Sequence, residues 1–274
     1  MMLPGSGQHP SGRVDDASSW RHVAITGASS GIGAALARHL AANGRRLSLV
    51  GRDRQRLDAV VAACVAAGAD VRGSCVDVTA ASETEAWIDE CARCRPIDLL
   101  IANAGVIDGP GRTPQEVIAV NLLGVVNTIE PAVARMAKGG QLAVMSSLAA
   151  SRARPMAPAY AASKMAVQCY AEGIRDRLRL AGIAISVVCP GNVATPMHSG
   201  RRTPRRPAMT TDQAAEIIIR GLRRRKPWII FPWARYAKAR LMALLPRKLV
   251  KGGIEYLLGK VGHWPAYRAP PDPE

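Results

Sequence analysis

HVAITGASSGIGAALARHL, residues 22–40, carries the reading that decides the fold. Its first five residues are an apolar run with β-branched Val23, Ile25 and Thr26, the kind of segment that fits a buried parallel strand. Gly27, Gly31 and Gly33 punctuate the next seven residues, and an Ala/Leu-rich stretch of helix formers follows. Strand, glycine turn and helix start in this order bring backbone N–H groups and the positive end of a helix against a pyrophosphate. Glycine permits both the tight turn and the close approach. Gly27, Ser29, Ser30, Gly31, Ile32 and Gly33 are therefore candidate dinucleotide-binding residues. A glycine motif alone is weak evidence, and its weight depends on its surroundings.

From Trp20 to about Phe231 the alternation of short apolar runs with longer helical patterns continues. Strands are predicted at 22–26, 46–50, 70–76, 97–102, 141–146, 183–189 and 228–231. Seven strands separated by helices predict an α/β fold, a Rossmann-type doubly wound, seven-stranded parallel sheet in three α/β/α layers. Ser82 and Glu85 have the spacing of a capping box, and Thr113, Pro114 and Glu116 supply an N-cap, an N1 proline and an N3 acid. Two long helices are predicted, over 114–137 and 157–181. Apolar residues make up 48% of the 274, with a single Phe, so the core should be built from small and branched side chains in one large domain.

The Gly/Ser/Pro-rich residues 1–19 read as a flexible tail without the apolar stretch of a signal peptide, and no run of about 18 apolar residues appears. A cytoplasmic protein is expected. Residues 20–231 form the nucleotide-binding domain and 232–274 a basic extension of it. The six Cys lack the density of a disulfide framework, and the lone Cys91-x-x-Cys94 has no further zinc ligands at a useful spacing. The net charge of +16 is concentrated, because residues 198–260 hold sixteen Lys/Arg against three Asp/Glu. Anionic lipid, an acidic carrier, a phosphorylated substrate and nucleic acid are the partners such charge admits, although no nucleic-acid reading motif accompanies it.

Chemistry enters with Tyr160-Ala-Ala-Ser-Lys164, preceded at thirteen residues by Ser147. Tyr160 and Lys164, at i and i+4, share one helical face. Reducing a carbonyl requires a proton as well as a hydride, and a phenol of pKa about 10 is poorly matched to neutral pH. A neighbouring ammonium and a positive nicotinamide ring would both favour phenolate and lower that value. Tyr160 is the candidate general acid/base, Lys164 its electrostatic and positional partner, and Ser147 the donor to the substrate oxygen. At the end of the second strand, Gly51-Arg52-Asp53 places a guanidinium where it suits a ribose 2′-phosphate. Asp53 could instead reach the ribose, or simply cap the next helix.

With these motifs in order, residues 20 to about 231 resemble the classical short-chain dehydrogenase/reductase family, through TGxxxGxG at 26–33, Ser147, the YxxxK at 160–164 and Pro190-Gly191. The resemblance implies an NADP(H)-dependent oxidoreductase acting on a small-molecule carbonyl or secondary alcohol, and the basic C-terminal charge admits a substrate that is lipid-like, carrier-linked or an envelope precursor. NAD is disfavoured because Gly51 stands where the family's NAD-binding acid usually sits. It implies adenine-side roles for Asp77, Val78, Asn103, Ala104 and Gly105, with Ala102 replacing the first Asn of the common NNAG form. It implies a fourth catalytic member, Asn121, holding a relay water beside Lys164. It also implies a nicotinamide-side segment with Pro190, Gly191, Val193 and Thr195, and a homodimer or homotetramer through helices 114–137 and 157–181. Ser146 is the rival for the catalytic serine, and the family's spacing selects Ser147. A catalytically silent nucleotide-binding protein is the alternative, against which an intact tetrad argues.

Two segments are left open by the residues. The loop 192–210, with Arg201, Arg202, Arg205 and Arg206, reads either as a solvated loop or as a lid over an anionic substrate. Beyond Phe231, Trp233, Ala237, Leu241 and Leu244 can share a helical face beside Arg235 and Lys238. That segment either covers the pocket or a subunit seam, or adsorbs to anionic membrane.

Overall fold

A computed structural model describes residues 20–151, 154, 156–198, 209–234 and 237. The 1–19 tail, the four loop arginines and the extension's helical face beyond Ala237 lie outside the described residues. Seven parallel strands make one sheet: β1 (His22–Thr26), β2 (Arg46–Val50), β3 (Asp70–Ser74), β4 (Ile97–Ala102), β5 (Met136–Met145), β6 (Ala184–Pro190) and β7 (Trp228–Phe231). Their order is β3-β2-β1-β4-β5-β6-β7. Val23 is in register with Leu47 on one side and Leu99 on the other. The chain runs outward from β1 to β3 and then crosses back to β4, so the strand order reverses between β1 and β4. A crevice must open there, outside the carboxyl ends of the strands.

Helices α1 (Gly31–Leu40), α2 (Arg54–Ala66) and α8 (Thr211–Arg223) cover one face, burying Leu36, Leu57, Ile218 and Leu222 against Ile25 and Leu49. Helices α3 (Ala81–Ala92), α4 (Pro114–Ile118), α5 (Gly124–Val133), α6 (Pro158–Gly173) and α7 (Arg175–Leu180) cover the other, where Ile88, Ile129 and Val167 pack against Leu100 and Val144. Strands buried on both faces explain the near-continuous apolar runs of the sequence. The doubly wound, three-layer architecture is the one expected.

Several boundaries differ from expectation. The helix predicted over 114–137 is interrupted by a π-helical turn, Ala119–Leu123, and ends at Val133. The strand expected at 141–146 then starts early, at Met136. Its first residues reach Ile97 through a register shift made possible by Gly139, whose φ is +86°. Thr113 and Glu116 do form a reciprocal capping box. Ser82 and Glu85 do not: the N-cap is two residues earlier, at Ala80, which has no capping side chain, α3 begins at Ala81, and Glu85 pairs with Arg135 instead. The helical run Pro114–Val133 is long and apolar enough to cross a bilayer. Val117, Val125, Ile129 and Ala132, all buried against the sheet, make it a core helix of the fold.

Candidate active site

The crevice is a single cavity of about 1780 Å3. That exceeds the 300–1,000 Å3, roughly, of a pocket for a drug-sized ligand and has room for a dinucleotide together with a substrate. Its floor is the glycine turn after β1. Gly27 has φ +65° and Gly31 φ +57°, left-handed values that glycine adopts without strain. A Cβ on Gly33 would lie 2.3 Å from the Gly27 carbonyl oxygen, and one on Gly27 would lie 2.8 Å from Ala104 Cα. Ser30 precedes α1 without capping it, and the first turn of α1 holds no acid, so its leading N–H groups are available to an anion. This cradle, which side chains would fill, fits a pyrophosphate. The turn is fastened to β4 by Thr26, whose Oγ1 accepts from Asn103 N and Ala104 N at 3.0 and 3.1 Å. Asn103 Nδ2 donates in return to the Thr26 and Gly27 carbonyls.

At the end of β2, a Cβ on Gly51 would sit 2.7 Å from Ser29 Cβ, so an acidic side chain there would require the glycine turn to move. Asp53 caps α2, its carboxylate accepting from Arg56 N at 2.9 Å and Arg56 Nε at 2.7 Å. Those bonds, led by the backbone one, hold its pKa below the usual carboxylate range. Arg52 approaches Asp77 at 3.6 Å, with more than half of its side chain exposed at the cleft wall. Burial works to raise the Asp77 pKa, but the Thr79 N–H and hydroxyl together with Arg52 outweigh it and leave it low.

The other end of the cleft gathers the chemistry. Ser147 follows β5, with its Oγ accepting from Ala149 N at 3.1 Å. Ser146 is committed elsewhere: its hydroxyl donates to the Lys164 carbonyl and accepts from Gln168 Nε2, both at 2.9 Å. The structure thus separates the two serines as the spacing does. Tyr160 and Lys164 lie on α6 and line the cleft with Ser147. Burial pushes the Tyr160 phenol above its ordinary value, while the Ser147 hydroxyl and the charge of Arg154 pull it back. Lys164 does not figure among these influences. The ammonium is buried, its pKa lowered by desolvation to about 8, and it donates to the nearby Met145 carbonyl at 2.7 Å. Asn121 sits fully buried in the π-turn, bonded to Val106 N through Oδ1 and to Val106 O and Ser163 Oγ through Nδ2. Gly105 lies between Asn121 and Lys164, since a Cβ there would be 3.2 Å from Asn121 Oδ1 and 3.3 Å from Lys164 Nζ. A residue with a side chain at 105 would drive the two apart.

The remaining predicted residues reach the same cavity. Val78, Asn103, Ala104, Pro190, Gly191, Val193 and Thr195 all border it. Val193 forms a bridge with Met209, tying the two ends of the 192–210 loop together. Three contributors carry no signal in the sequence. Asp108 accepts from Ala159 N at 3.1 Å and Tyr160 N at 2.8 Å, capping α6 from a loop fifty residues away, since Ala157 supplies no cap of its own. Gln168, one turn after Lys164, donates to Ser146 Oγ and Cys189 Sγ and so holds α6 against β5 and β6. Arg154 carries its charge to the phenol from the segment before α6. Thr26 differs from these three, because its place at the head of TGxxxGxG marks it, whereas nothing in local spacing announces Asp108, Gln168 or Arg154.

The model of the short chain dehydrogenase family matches residues 21–206. An uncharacterized oxidoreductase of Myxococcus xanthus is 33% identical over 240 residues, covering 84% of this chain and 95% of that protein. A 3-dehydrosphinganine reductase of Arabidopsis thaliana is 34% identical over 208 residues, covering 72% of this chain and 62% of that protein. Among solved structures, a short chain dehydrogenase/reductase from Burkholderia phymatum in complex with NAD superposes with a TM-score of 0.72 at 25% identity, covering 81% of this chain and 92% of its own. An alcohol dehydrogenase from Thermococcus sibiricus complexed with 5-hydroxy-NADP gives 0.65 at 28% identity, covering 74% and 90%. With the glycine cradle, the Ser-Tyr-Lys cluster and these matches in agreement, the chain belongs to the short-chain dehydrogenase family of nicotinamide-nucleotide oxidoreductases.

Proposed function

We propose that this protein is an NADPH-dependent reductase of a carbonyl carried on an apolar substrate. The convergence of Ser147, Tyr160 and Lys164 in one cleft with the glycine cradle is the observation that carries this reading. The Gly27–Gly33 turn and the start of α1 would hold the pyrophosphate, Asp77 and Val78 the adenine side, and Pro190 to Thr195 the nicotinamide side. When bound, the reduced nicotinamide supplies hydride. Tyr160, kept protonated by burial, supplies the proton to the developing alkoxide, a general-acid contribution of about 10²–10⁴ in rate. Ser147 accepts from Ala149 N on an Oγ lone pair, which leaves its one hydroxyl proton free to donate to the substrate oxygen. Lys164 holds the ribose hydroxyls and the local positive charge, and Asn121 braces the turn beside it. Met156, Met197, Leu148 and Ile107 line the same cleft, an adaptable apolar wall suited to an aliphatic substrate. The relative named as a 3-dehydrosphinganine reductase supports that class. Exposed Ile118, Leu123 and Met165 on the helices beside the sheet favour a homo-oligomer.

Preference for NADPH rests on Arg52 and on Ser29, which closes the position of a ribose-binding acid at Gly51. A charge-assisted phosphate contact contributes about 1.5–3 kcal/mol, on the order of 10- to 100-fold in affinity. The experiment is Arg52→Ala, with NADPH and NADH compared by fluorescence titration. The variant should lose most of its NADPH preference. An unchanged ratio, or a wild type that favours NADH, defeats the assignment.

A further inference from the structure

A second cavity, of about 480 Å3, lies away from the cleft at the open edge of the sheet, between α8 and β7. Among the described residues Arg220, Arg224, Lys226, Trp228, Ile230 and Trp233 border it, and no carboxylate does. Arg220, Arg223, Arg224, Arg225 and Lys226 put five cations into seven residues, and among the described residues none of them joins an ion pair. Arg225 instead donates to the Gly139 carbonyl. Like charges gathered without a counter-charge repel one another, and a polyanion relieves that repulsion.

Among the described residues β7 ends the sheet and pairs only with β6. Pro227 and Phe231 turn their carbonyls to β6, so by the two-residue period of a strand Trp228 and Ile230 present their backbone groups to the open side. An edge of polar backbone, exposed cations and indoles belongs at the depth of lipid headgroups rather than in hydrocarbon. Trp233 is 64% exposed. The chain beyond it adds Arg235, Lys238 and Arg240 together with Leu241, Leu244 and Leu245. That mixture of apolar and cationic residues matches a lipid surface better than DNA, which rewards charge alone. A small free anion is disfavoured, because the three cations at the cavity are exposed and spread along α8 and the start of β7. The edge also abuts the active site, since Gly191, which lines the cleft, packs against Pro232 so closely that a Cβ on it would lie 2.9 Å from Pro232 Cδ.

We propose that the β7 edge docks on an anionic lipid surface, with headgroup phosphates against Arg220, Arg224 and Lys226 and the Trp233 indole at the interface. The test is co-sedimentation of the full chain with vesicles of phosphatidylcholine alone and of phosphatidylcholine mixed with phosphatidylglycerol, at low and high salt, with NADPH titration as the check on folding. Wild type should bind only the mixed vesicles and release at high salt. The Arg220→Ser/Arg224→Ser/Lys226→Ser variant should bind roughly 100-fold more weakly, about fivefold for each cation, and Trp233→Ser should also weaken binding. The proposal falls if wild type binds neither vesicle or both equally, or if the triple variant binds mixed vesicles like wild type. It falls too if duplex DNA at the same salt is bound more tightly, or if the triple variant alters only the oligomeric state, which would assign the edge to a second copy. None of these readouts uses turnover or cofactor choice, so their failure is distinct from failure of the reductase reading.

Discussion

Lys164 is 3% exposed, and among the described residues no carboxylate accompanies it. Its charge is retained in a place where burial pushes its pKa down to about 8, and the partner it finds is the Met145 carbonyl. A buried charge held without an ionic partner costs stability, as its lowered pKa shows, so an apolar side chain of similar length in its place should not destabilise the fold. Its presence therefore points to function rather than folding. Lys164→Met should shift the unfolding free energy by no more than about 1 kcal/mol, the scale of one hydrogen bond, while lowering turnover about 100-fold or more and weakening NADPH binding. Urea unfolding and steady-state kinetics on the same preparation check both halves. A large loss of stability would make the ammonium a structural strut. Most of this residue-level site was legible because YxxxK, the glycine spacing and the Ser147 interval are local patterns with chemical reasons. Its electrostatics were not: which group biases the Tyr160 phenol depends on Arg154 and on burial, and neither is written in a spacing.

Helix α6 is the element that positions the chemistry, and its start depends on a residue from another part of the chain. Ala157 has no capping side chain, and the Asp108 carboxylate, from the loop after β4, takes the N–H groups of Ala159 and Tyr160. A carboxylate at a helix N-terminus satisfies orphan donors and complements the helix dipole. It also fixes the backbone of Tyr160 itself. Asp108→Ala should cost about 1–2 kcal/mol of stability, as lost caps do, and reduce kcat about tenfold with NADPH affinity unchanged. Asp108→Asn, with one acceptor oxygen in place of two, should fall between. Wild-type kcat in both variants would show that Tyr160 is held by the helix alone. The same element shows why boundaries were harder to read than motifs. The interruption at Ala119–Leu123 is a π-turn whose cause is the tertiary bonding of Asn121 to Val106, and the early start of β5 depends on its pairing with Ile97. Both are long-range effects on a sequence whose local propensity is plainly helical over 114–133.

At the scale of the molecule, the doubly wound sheet places the predicted cofactor and catalytic residues around one crevice where the strand order reverses, except Gly33 and Asn121, which sit behind its wall. That much followed from strand periodicity and the order of motifs, because a parallel sheet with right-handed crossovers leaves few topologies to choose from. The distribution of charge was visible as composition, but that Arg220, Arg224 and Lys226 border one cavity with two indoles required β7 to be the edge strand. The proposed chemistry depends on Tyr160 giving the proton in a cleft built around a nicotinamide nucleotide. The most direct test is Tyr160→Phe, which keeps the ring and its packing and removes only the hydroxyl. NADPH oxidation is followed with a panel of aliphatic ketones, and NADPH binding is titrated by fluorescence on the same protein. Turnover should fall by about 10²–10⁴, with NADPH affinity within a few-fold of wild type. Near wild-type turnover in the variant, or no turnover by wild type despite tight NADPH binding, would contradict the proposed chemistry.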